Sequence, residues 1–428
     1  MTLMATASFL QKRPTSGNIR RGPFLFSGHF MRCLQSYILA VLLLGSMSFF
    51  SIIHGKTLDS FASTTAPVAL LVDGESGSIL AEKNALKQFN PGDMTKLMTA
   101  EVIFDALKRR KLSLDDEFFI SERAWQRGRG GSMFARLDSY VRVEDLLRGI
   151  AVLSADDGAI ALAEGVSGQE SDFVQIMNER AQHIGLKNTL FSNSTGSGTV
   201  EQVTTARDLA VLARQISRKY PDYYRLYGEK SFSWSKIEQH NRNSLLTLDA
   251  SADGLKAARQ TADGFALVGR AVRDDKILIV VVSGLKTSND AATEAQKLLQ
   301  WGFETFNPRF LFNANEPLAS VKVYGGTNST VPAVTHVPVR ILWQKDGAER
   351  LTMKIEYSAP LEAPVRKGDR IGKLRIMKGS LTALVLPVYA DTDIAEGSIF
   401  NRAASASGEL WGRMFRHIWQ RTVALVKK

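Results

Sequence analysis

FNPGDMTKLMTA, residues 89–100, is the stretch that decides the fold, because a loop turns into a helix there and presents a lysine just inside it. Asn90-Pro91-Gly92 breaks any preceding element, and Asp93 occupies a position that favours a helix N-cap. An apolar helical face begins directly afterwards. Lys96 falls in the first turn, where the helix dipole disfavours a cation. We therefore expect Lys96 to have a partner close by.

The same stretch resembles the penicillin-binding D-alanyl-D-alanine carboxypeptidases, relatives of the class A β-lactamases, which carry P-A-S-x-T-K-L-M-T at this point. Pro91 and the run Met94 to Thr99 fit that pattern. Asp93 stands where the family has its nucleophilic serine, three residues before the lysine. By position, Lys96 would be the base of the reaction. The resemblance implies an α+β, β-lactamase/D,D-carboxypeptidase-like fold, an antiparallel sheet with a helical subdomain, over residues 66–306.

A polar segment, Ser154-Ala155-Asp156-Asp157-Gly158, separates two apolar helical runs. Taken alone, such a break is more often a solvent-facing junction between helices than a site. The carboxypeptidases read S-G-N-D-A here, with a proton-relaying serine and a substrate-contacting asparagine. The resemblance assigns the relay to Ser154 and places Asp156 at the substrate-binding asparagine position.

The third resemblance lies at Asp253 to Ala258, which matches the family's D-G-L-K-T-G strand. Lys256 would anchor the substrate carboxylate. Ala257 removes a hydroxyl from that substrate-binding position, and Ala258 adds a methyl group where substrate must pass closely. Residues 191–196 also resemble S-N-P-T-G, with Ser194 where the proline stands, and residues 204–210 resemble S-T-A-x-D-x-A.

Hydrophobic patterning organises the rest of the chain. Residues 67–73 and 78–81 predict a hairpin, and a helix is expected from Asp93 to about Lys111. Strands are expected at residues 265–273 and 276–282, with a closing helix at 295–306. Short β-rich pieces from 308 to 395 predict a small C-terminal β-sandwich domain.

Charge is concentrated at the two ends of the 428-residue chain, whose net charge is +11. Residues 1–56 contain six basic residues and no acidic one, and residues 409–428 contain five basic residues against one acidic residue. The nearly neutral body between them favours membrane contact at the ends and argues against a nucleic-acid partner. The single cysteine, Cys33, excludes an intramolecular disulfide.

Both ends carry apolar segments. Ser36 to Ile53 is uncharged and follows Arg32, which predicts a secretory signal peptide or an uncleaved N-terminal anchor within residues 1–60. Residues 409–428 alternate apolar and basic faces with Trp411 and Trp419 on the apolar side, which is typical of a membrane-associating amphipathic helix. An ordinary helix docked on the protein is the alternative. We expect an exported protein at the periplasmic face of the bacterial inner membrane.

The departures from the family pattern decide the functional prediction. Family members hydrolyse the terminal D-Ala of peptidoglycan stem peptides through an acyl-serine, and Asp93 is a poor substitute for that serine. We therefore predict a catalytically impaired pseudoenzyme of the envelope that acts with stem peptides or cell-wall synthesis proteins. The alternatives are an active serine-type D-Ala-D-Ala carboxypeptidase and a structural protein without peptidoglycan contact.

Three further expectations follow from the residues. With Asp93 and Asp156 beside Lys96 and Lys256, we expect two ion pairs that close the site on itself. Two other S-x-x-K runs, beginning at Ser233 and Ser283, are expected by chance and are weak candidates for a replacement nucleophile. The six scattered histidines and the absence of a second thiol predict neither a metal site nor a cofactor.

Overall fold

The computed structural model describes Phe61 and residues 63–127, 131–198, 201–260, 264–344, 351–358, 361–378 and 381–398. The predicted signal or anchor segment and the predicted amphipathic helix at residues 409–428 lie outside these ranges. Within them, none of the helices combines the length and the apolar character that crossing a membrane requires.

Helices and strands alternate irregularly through the first two thirds of the described chain, and strands alone follow. The helices are α1 (Thr95–Lys108), α2 (Glu122–Arg127), α3 (Val143–Arg148), α4 (Asp156–Ser167), α5 (Glu170–Ile184), α6 (Ala206–Lys219), α7 (Pro221–Tyr224), α8 (Leu245–Leu248) and α9 (Ser288–Thr305). The strands up to α9 are β1 (Val68–Asp73), β2 (Ile79–Lys83), β3 (Glu117–Phe119), β4 (Tyr140–Arg142), β5 (Ser231–Trp234), β6 (Ile237–His240), β7 (Ala252–Gln260), β8 (Gly264–Arg273) and β9 (Lys276–Leu285). The strands after α9 are β10 (Phe306–Phe312), β11 (Ala319–Tyr324), β12 (Thr330–Val334), β13 (Val339–Gln344), β14 (Leu351–Glu356), β15 (Leu361–Glu362), β16 (Arg370–Lys378) and β17 (Leu381–Ala390).

A five-stranded antiparallel sheet in the order β2-β1-β9-β8-β7 forms the centre of the larger domain. All six residues of β1 are buried, and β9 carries a continuous apolar run, because both faces of the sheet are covered. Strand pairing places Leu70 of β1 opposite Val281 of β9. One face packs on α9, and the other faces the helices that begin with α1. The edge strand β7 carries Lys256 toward the helical side.

Two helix starts are fixed by side-chain caps. Thr205 caps α6 by accepting a hydrogen bond from the Asp208 backbone nitrogen at 3.2 Å. Thr287 and Asp290 form a reciprocal capping box at the start of α9. That helix therefore begins seven residues earlier than the apolar pattern alone suggested, because its first turns are polar and capped.

The C-terminal β region has a core of its own. One sheet has the order β14-β16-β17-β12-β11-β15, and β10 pairs with β13 in a separate two-stranded sheet. Apolar side chains such as Val331, Ile376 and Val388 fill the interior. Arg340 on β13 reaches the Glu75 carboxylate at 3.0 Å, in the turn between β1 and β2. Together with the central sheet and its helices, this region confirms the predicted α+β fold class.

Candidate active site

A short 3₁₀ turn at Gly92–Met94 places Asp93 ahead of α1. Gly92 has φ = 53°, and a Cβ there would lie 2.4 Å from the Arg259 carbonyl oxygen of β7. Gly196, with φ = 83°, allows a second loop to pass directly over Gly92, since its Cβ would lie 1.8 Å from the Gly92 carbonyl oxygen. These two glycines therefore bring the turn, the β7 strand and the 193–198 loop together.

The predicted N-cap role of Asp93 is wrong. Met94 is the N-cap residue of α1, and no side chain caps this helix. The Asp93 carboxylate instead lies 2.6 Å from the Lys96 ammonium, one turn further along the chain. Because the 3₁₀ turn runs straight into α1, the first-turn amides of the helix lie beyond the reach of Asp93, while Lys96 projects from the same side.

Lys96 is fully buried and has three partners. Its Nζ lies 2.6 Å from Asp93 Oδ1 and 2.7 Å from Asp156 Oδ1, and it donates a hydrogen bond of 2.7 Å to the Thr195 carbonyl oxygen. Asp156 is also buried and accepts a 2.8 Å hydrogen bond from the Ser197 hydroxyl. Lys96 therefore links the start of α1 to the start of α4 and to the 193–198 loop.

Ionisation in this cluster follows from burial and charge together. Burial opposes a charged Lys96, but the neighbouring Asp93 and Asp156 carboxylates raise its pKa above the ordinary value. Burial likewise opposes an ionised Asp93, yet Lys96 and Lys256 lower the pKa of Asp93. At Asp156 burial prevails and raises the pKa. Lys96 is therefore held as an ammonium ion, which cannot accept a proton.

The polar segment at Ser154 is buried, so the expectation of a solvent-facing junction is wrong. Ser154, Asp156 and Asp157 are each 3 % exposed or less. Residues Gly149–Leu153 form a π-helical turn after α3, and Ser154 follows with φ = 58° in the left-handed region. Within the described chain the Ser154 hydroxyl makes no hydrogen bond. The break between the helices thus turns this hydroxyl into the site.

The irregular turn also leaves backbone carbonyl groups open to other partners. Lys256 donates a 2.6 Å hydrogen bond to the Ile150 carbonyl oxygen, and Arg242 Nε donates a 2.7 Å bond to the Leu153 carbonyl oxygen. In a regular α-helix such carbonyl groups accept hydrogen bonds from backbone N–H groups four residues further along. The π-helical turn therefore docks on β7 and on the segment before α8.

Lys256 differs from Lys96 although both are buried. Among the described residues, none presents a carboxylate within ion-pair distance of Lys256, and its partner is the neutral Ile150 carbonyl group. Burial lowers the pKa of Lys256 to about 7, and the positive charge of Lys96 acts in the same direction. The structure contains the two expected ion pairs, and both are made by Lys96.

The structure brings five of the predicted site residues together on the helical side of β7, while Ala257 packs in the cluster on the α9 side. Asp93 and Lys96 come from the start of α1, Ser154 and Asp156 from the start of α4, and Lys256 from β7. Ala257 and Ala258 are buried beside Lys256 in the same strand. The weaker candidates differ: Ser283 is buried in β9 and donates a hydrogen bond of 3.0 Å to Gln260, and Ser233 is exposed on β5.

Sequence reasoning missed the groups that form hydrogen bonds to Lys96, to Asp156 and to the turn before Ser154. The Thr195 carbonyl and the Ser197 hydroxyl bind Lys96 and Asp156, and Arg242 holds the turn that carries Ser154. Buried Glu170 accepts hydrogen bonds from the Ser194 backbone nitrogen and hydroxyl at 2.9 and 2.6 Å. The resemblance of residues 191–196 to S-N-P-T-G was the available signal. Backbone carbonyl partners cannot be recognised in a sequence, because every residue carries a carbonyl group.

Comparison with known proteins gives the family of the chain. A family model described as D-alanyl-D-alanine carboxypeptidase matches residues 56–287, and one described as the penicillin-binding protein 5 C-terminal domain matches residues 306–396. D-alanyl-D-alanine carboxypeptidase DacA of Haemophilus influenzae is 35 % identical over 352 residues, which is 81 % of this chain and 88 % of the relative. DacC of Escherichia coli is 33 % identical over 79 % of this chain and 87 % of its own length.

A solved structure of a protein from the same family is also similar to this chain. The crystal structure of penicillin binding protein 5 from Haemophilus influenzae superimposes with a TM-score of 0.69 at 34 % identity, covering 78 % of this chain and 98 % of that one. Fold and sequence agree over both the central sheet with its helices and the C-terminal β region. The chain therefore belongs to the D-alanyl-D-alanine carboxypeptidase family.

Proposed function

We propose that this chain is a catalytically impaired member of its family, which binds peptidoglycan stem peptides or cell-wall synthesis proteins without hydrolysing D-Ala-D-Ala at an appreciable rate. One observation carries the proposal: the residue at the nucleophile position is a carboxylate that forms an ion pair with the lysine at the base position.

The chemistry of acyl transfer explains why this pairing is disabling. An acyl-enzyme needs a hydroxyl or thiol nucleophile and a nearby neutral base that takes its proton. Attack by the Asp93 carboxylate would give a reactive mixed anhydride in place of an ester. Lys96 is also protonated, because two carboxylates stabilise its charge. Removing a catalytic nucleophile costs on the order of 10⁶ in turnover, so only binding effects remain.

Binding is supported by two buried groups in the site that a ligand could pair with. The Ser154 hydroxyl has no partner among the described residues, and Lys256 has no carboxylate partner there. The family resemblance assigns the proton relay to Ser154 and the binding of the substrate carboxylate to Lys256. A bound anionic terminus would raise the pKa of Lys256 and complete its pairing. The Asp93 charge opposes such a ligand, so we expect weak binding.

The chain's place in the cell is part of the same proposal. The apolar segment at residues 36–53 would direct export, and the two basic ends would contact the inner membrane from the periplasmic side. Membrane association of both ends would hold the carboxypeptidase-like region close to newly made peptidoglycan.

Acylation by benzylpenicillin tests the catalytic part of the proposal. After incubation of the full chain with excess benzylpenicillin, intact-mass spectrometry should show no added penicilloyl group. The matched control is Asp93→Ser, which restores the hydroxyl and removes one ion-pair partner of Lys96. An adduct that forms in that variant alone, and that digestion maps to the substituted position, would support a site disabled at one residue.

An adduct on the unaltered chain would instead establish the active alternative. Digestion would then show which serine carries the group, and Ser154 is the first residue to inspect. Retention on purified peptidoglycan sacculi tests the binding part separately. A folded chain that sacculi do not retain would favour the structural alternative.

A further inference from the structure

A cavity of about 420 Å³ lies where the larger domain meets the C-terminal β region. Its walls include Glu75 in the β1–β2 turn, Arg218 near the end of α6, Asp274 and Asp275 in the β8–β9 turn, and Arg340 of β13. We call it the junction cavity. Its volume falls within the usual range of small-molecule sites. The residues that line it are all different from those of the candidate active site.

The walls of the junction cavity are held in place by bonds to Glu75. The Glu75 carbonyl oxygen accepts hydrogen bonds from Arg214, at 2.6 Å, and from Arg218, both on α6. The Glu75 carboxylate forms a 3.0 Å ion pair with Arg340, which also donates a hydrogen bond to the Asp275 carbonyl oxygen. Contacts within the protein therefore link the two turns, α6 and β13, and they shape the cavity independently of any ligand.

Three charged groups of the junction cavity have no partner of opposite charge in the described part of the chain. Arg218 is exposed, and it donates its hydrogen bond to the neutral Glu75 carbonyl group. The carboxylates of Asp274 and Asp275 are also exposed, and they form neither a hydrogen bond nor an ion pair with the described residues. Charges of both signs therefore line one cavity without pairing with each other.

Arg214, one turn before Arg218 on α6, is also short of acceptors. Its Nε atom is buried and has no hydrogen-bond partner among the described residues. Burial lowers the pKa of Arg214, and the positive charge of Arg218 acts in the same direction, although Asp73 and Glu75 partly offset both effects. Positive charge at the end of α6 is therefore incompletely compensated, and a ligand carboxylate beside Arg218 would stabilise both guanidinium groups.

We propose that the junction cavity binds a short zwitterionic peptide, with its carboxylate at Arg218 and its ammonium group at the β8–β9 turn. A ligand with only a negative charge would be repelled by Asp274 and Asp275, and one with only a positive charge by Arg218. Val272, which is 37 % exposed, and Ile277 also line the cavity and can pack against aliphatic side chains of the peptide. This site is additional to the proposed stem-peptide binding and does not rest on it.

Isothermal titration calorimetry of the full chain in detergent tests the proposal, with L-alanyl-L-alanine as the probe. This dipeptide is zwitterionic but lacks the D-Ala-D-Ala terminus that family members hydrolyse, so its binding does not depend on the candidate active site. We expect saturable binding that weakens at least about tenfold when the probe is N-acetylated or C-amidated, because each change removes one charge and its pairing.

Variants locate the two ends of the dipeptide. Asp274→Asn combined with Asp275→Asn should lower the affinity at least about tenfold, since the ammonium group loses its charged partners. Arg218→Gln should lower it to a similar extent, because the carboxylate loses its partner. Asp274 has φ = 51°, which asparagine adopts readily, so the thermal midpoint of the aspartate variant should not change.

Matched controls change similar residues elsewhere. Asp138→Asn alters another exposed aspartate with a positive φ, 57°, and Arg225→Gln alters another exposed arginine that donates to a backbone carbonyl group. Both should leave the affinity unchanged.

Four outcomes would overturn the assignment. They are absence of binding by the unaltered chain, unchanged affinity in the cavity variants, equal losses in the controls, and equal affinity for either blocked probe. None of them bears on acylation by benzylpenicillin or on retention by sacculi, so the proposed function is tested independently.

Discussion

Lys96 and Lys256 occupy neighbouring positions in one site and are buried to nearly the same degree, yet the protein treats their charges in opposite ways. Lys96 lies between two carboxylates, and its pKa is raised. Lys256 faces the Ile150 carbonyl group, and its pKa falls to about 7. Burial penalises both ammonium groups, so the difference comes from their partners.

The contrast between the two lysines bears on the proposed loss of acyl transfer. A base must be neutral part of the time, and the position expected to supply it is the one with two acidic neighbours. The anchor position, which benefits from a permanent charge, is the one without an acidic neighbour among the described residues. The two aspartates have therefore placed the charge on the lysine that should be neutral.

The largest expected effect comes from removing the acids around Lys96. Asp93→Ser combined with Asp156→Asn should acylate with benzylpenicillin at least about 10³-fold faster than the unaltered chain, because a hydroxyl returns and the pKa of Lys96 falls. Asp93→Ser alone should increase the acylation rate less, since Asp156 still stabilises the protonated form of Lys96. Rates are measured by intact-mass spectrometry over time. Equal rates in the two variants would mean that Asp156 does not restrain Lys96.

Replacing Lys96 and Lys256 one at a time tests the contrast between them, because the two replacements should change the free energy of unfolding by different amounts. Lys96→Met leaves two acidic groups without their shared cation and should lower the free energy of unfolding by about 3–5 kcal/mol. Lys256→Met removes an amine that is costly to bury and leaves one carbonyl unpaired, so its net change at pH 7 should stay within about 1 kcal/mol. Urea unfolding measures both. A similar loss in the two variants would contradict the distinction between the lysines.

The dependence of stability on pH should reveal Lys256 specifically. Its pKa is about 7 in the folded protein, below the ordinary value of a lysine, so the native state binds fewer protons than the unfolded state above pH 7. The free energy of unfolding therefore rises with pH from near 7 toward the ordinary lysine value, by up to about 1.4 kcal/mol per pH unit. Below pH 7 this contribution is constant.

The matched variant isolates that contribution from other titrating groups. The gain in stability between pH 7 and pH 9 should be smaller in Lys256→Met than in the unaltered chain, as measured by urea unfolding at each pH. Parallel pH profiles for the two proteins would show that Lys256 remains charged in the folded state.

The smallest expected effect comes from removing the hydrogen bond that the Ser197 hydroxyl donates to Asp156. Ser197→Ala removes the hydroxyl that donates to Asp156 Oδ2 at 2.8 Å, which should cost about 0.5–1.5 kcal/mol of stability. The pKa of Asp156 should rise further, because this hydrogen bond favours the ionised carboxylate. Ser192→Ala, in the same loop but bonded to the Glu201 carbonyl, is the control. An equal change in both variants would point to a general effect on the loop.

Much of the fold was predictable from local patterns. The β1–β2 hairpin, the Thr-capped α6 and the apolar strand β9 follow from turn residues, a cap and hydrophobic runs. Errors occurred where tertiary contacts override local preference. Asp93 resembled an N-cap but binds Lys96, and the polar segment at Ser154 resembled a surface junction but is buried. Asp93 is part of a 3₁₀ turn that continues into α1 and bonds to Lys96 one turn along, whereas the Ser154 segment is covered by elements distant in the sequence.

The sequence by itself determined the family, the α+β fold class and the substitution of Asp93 at the nucleophile position, because these depend on residue identity and short-range spacing. The packed structure was needed to see that both aspartates pair with Lys96 and that Ile150 offers its carbonyl to Lys256. The physical reason is that pairing depends on distances between α1, α4 and β7. Packing sets those distances, and no local pattern encodes them.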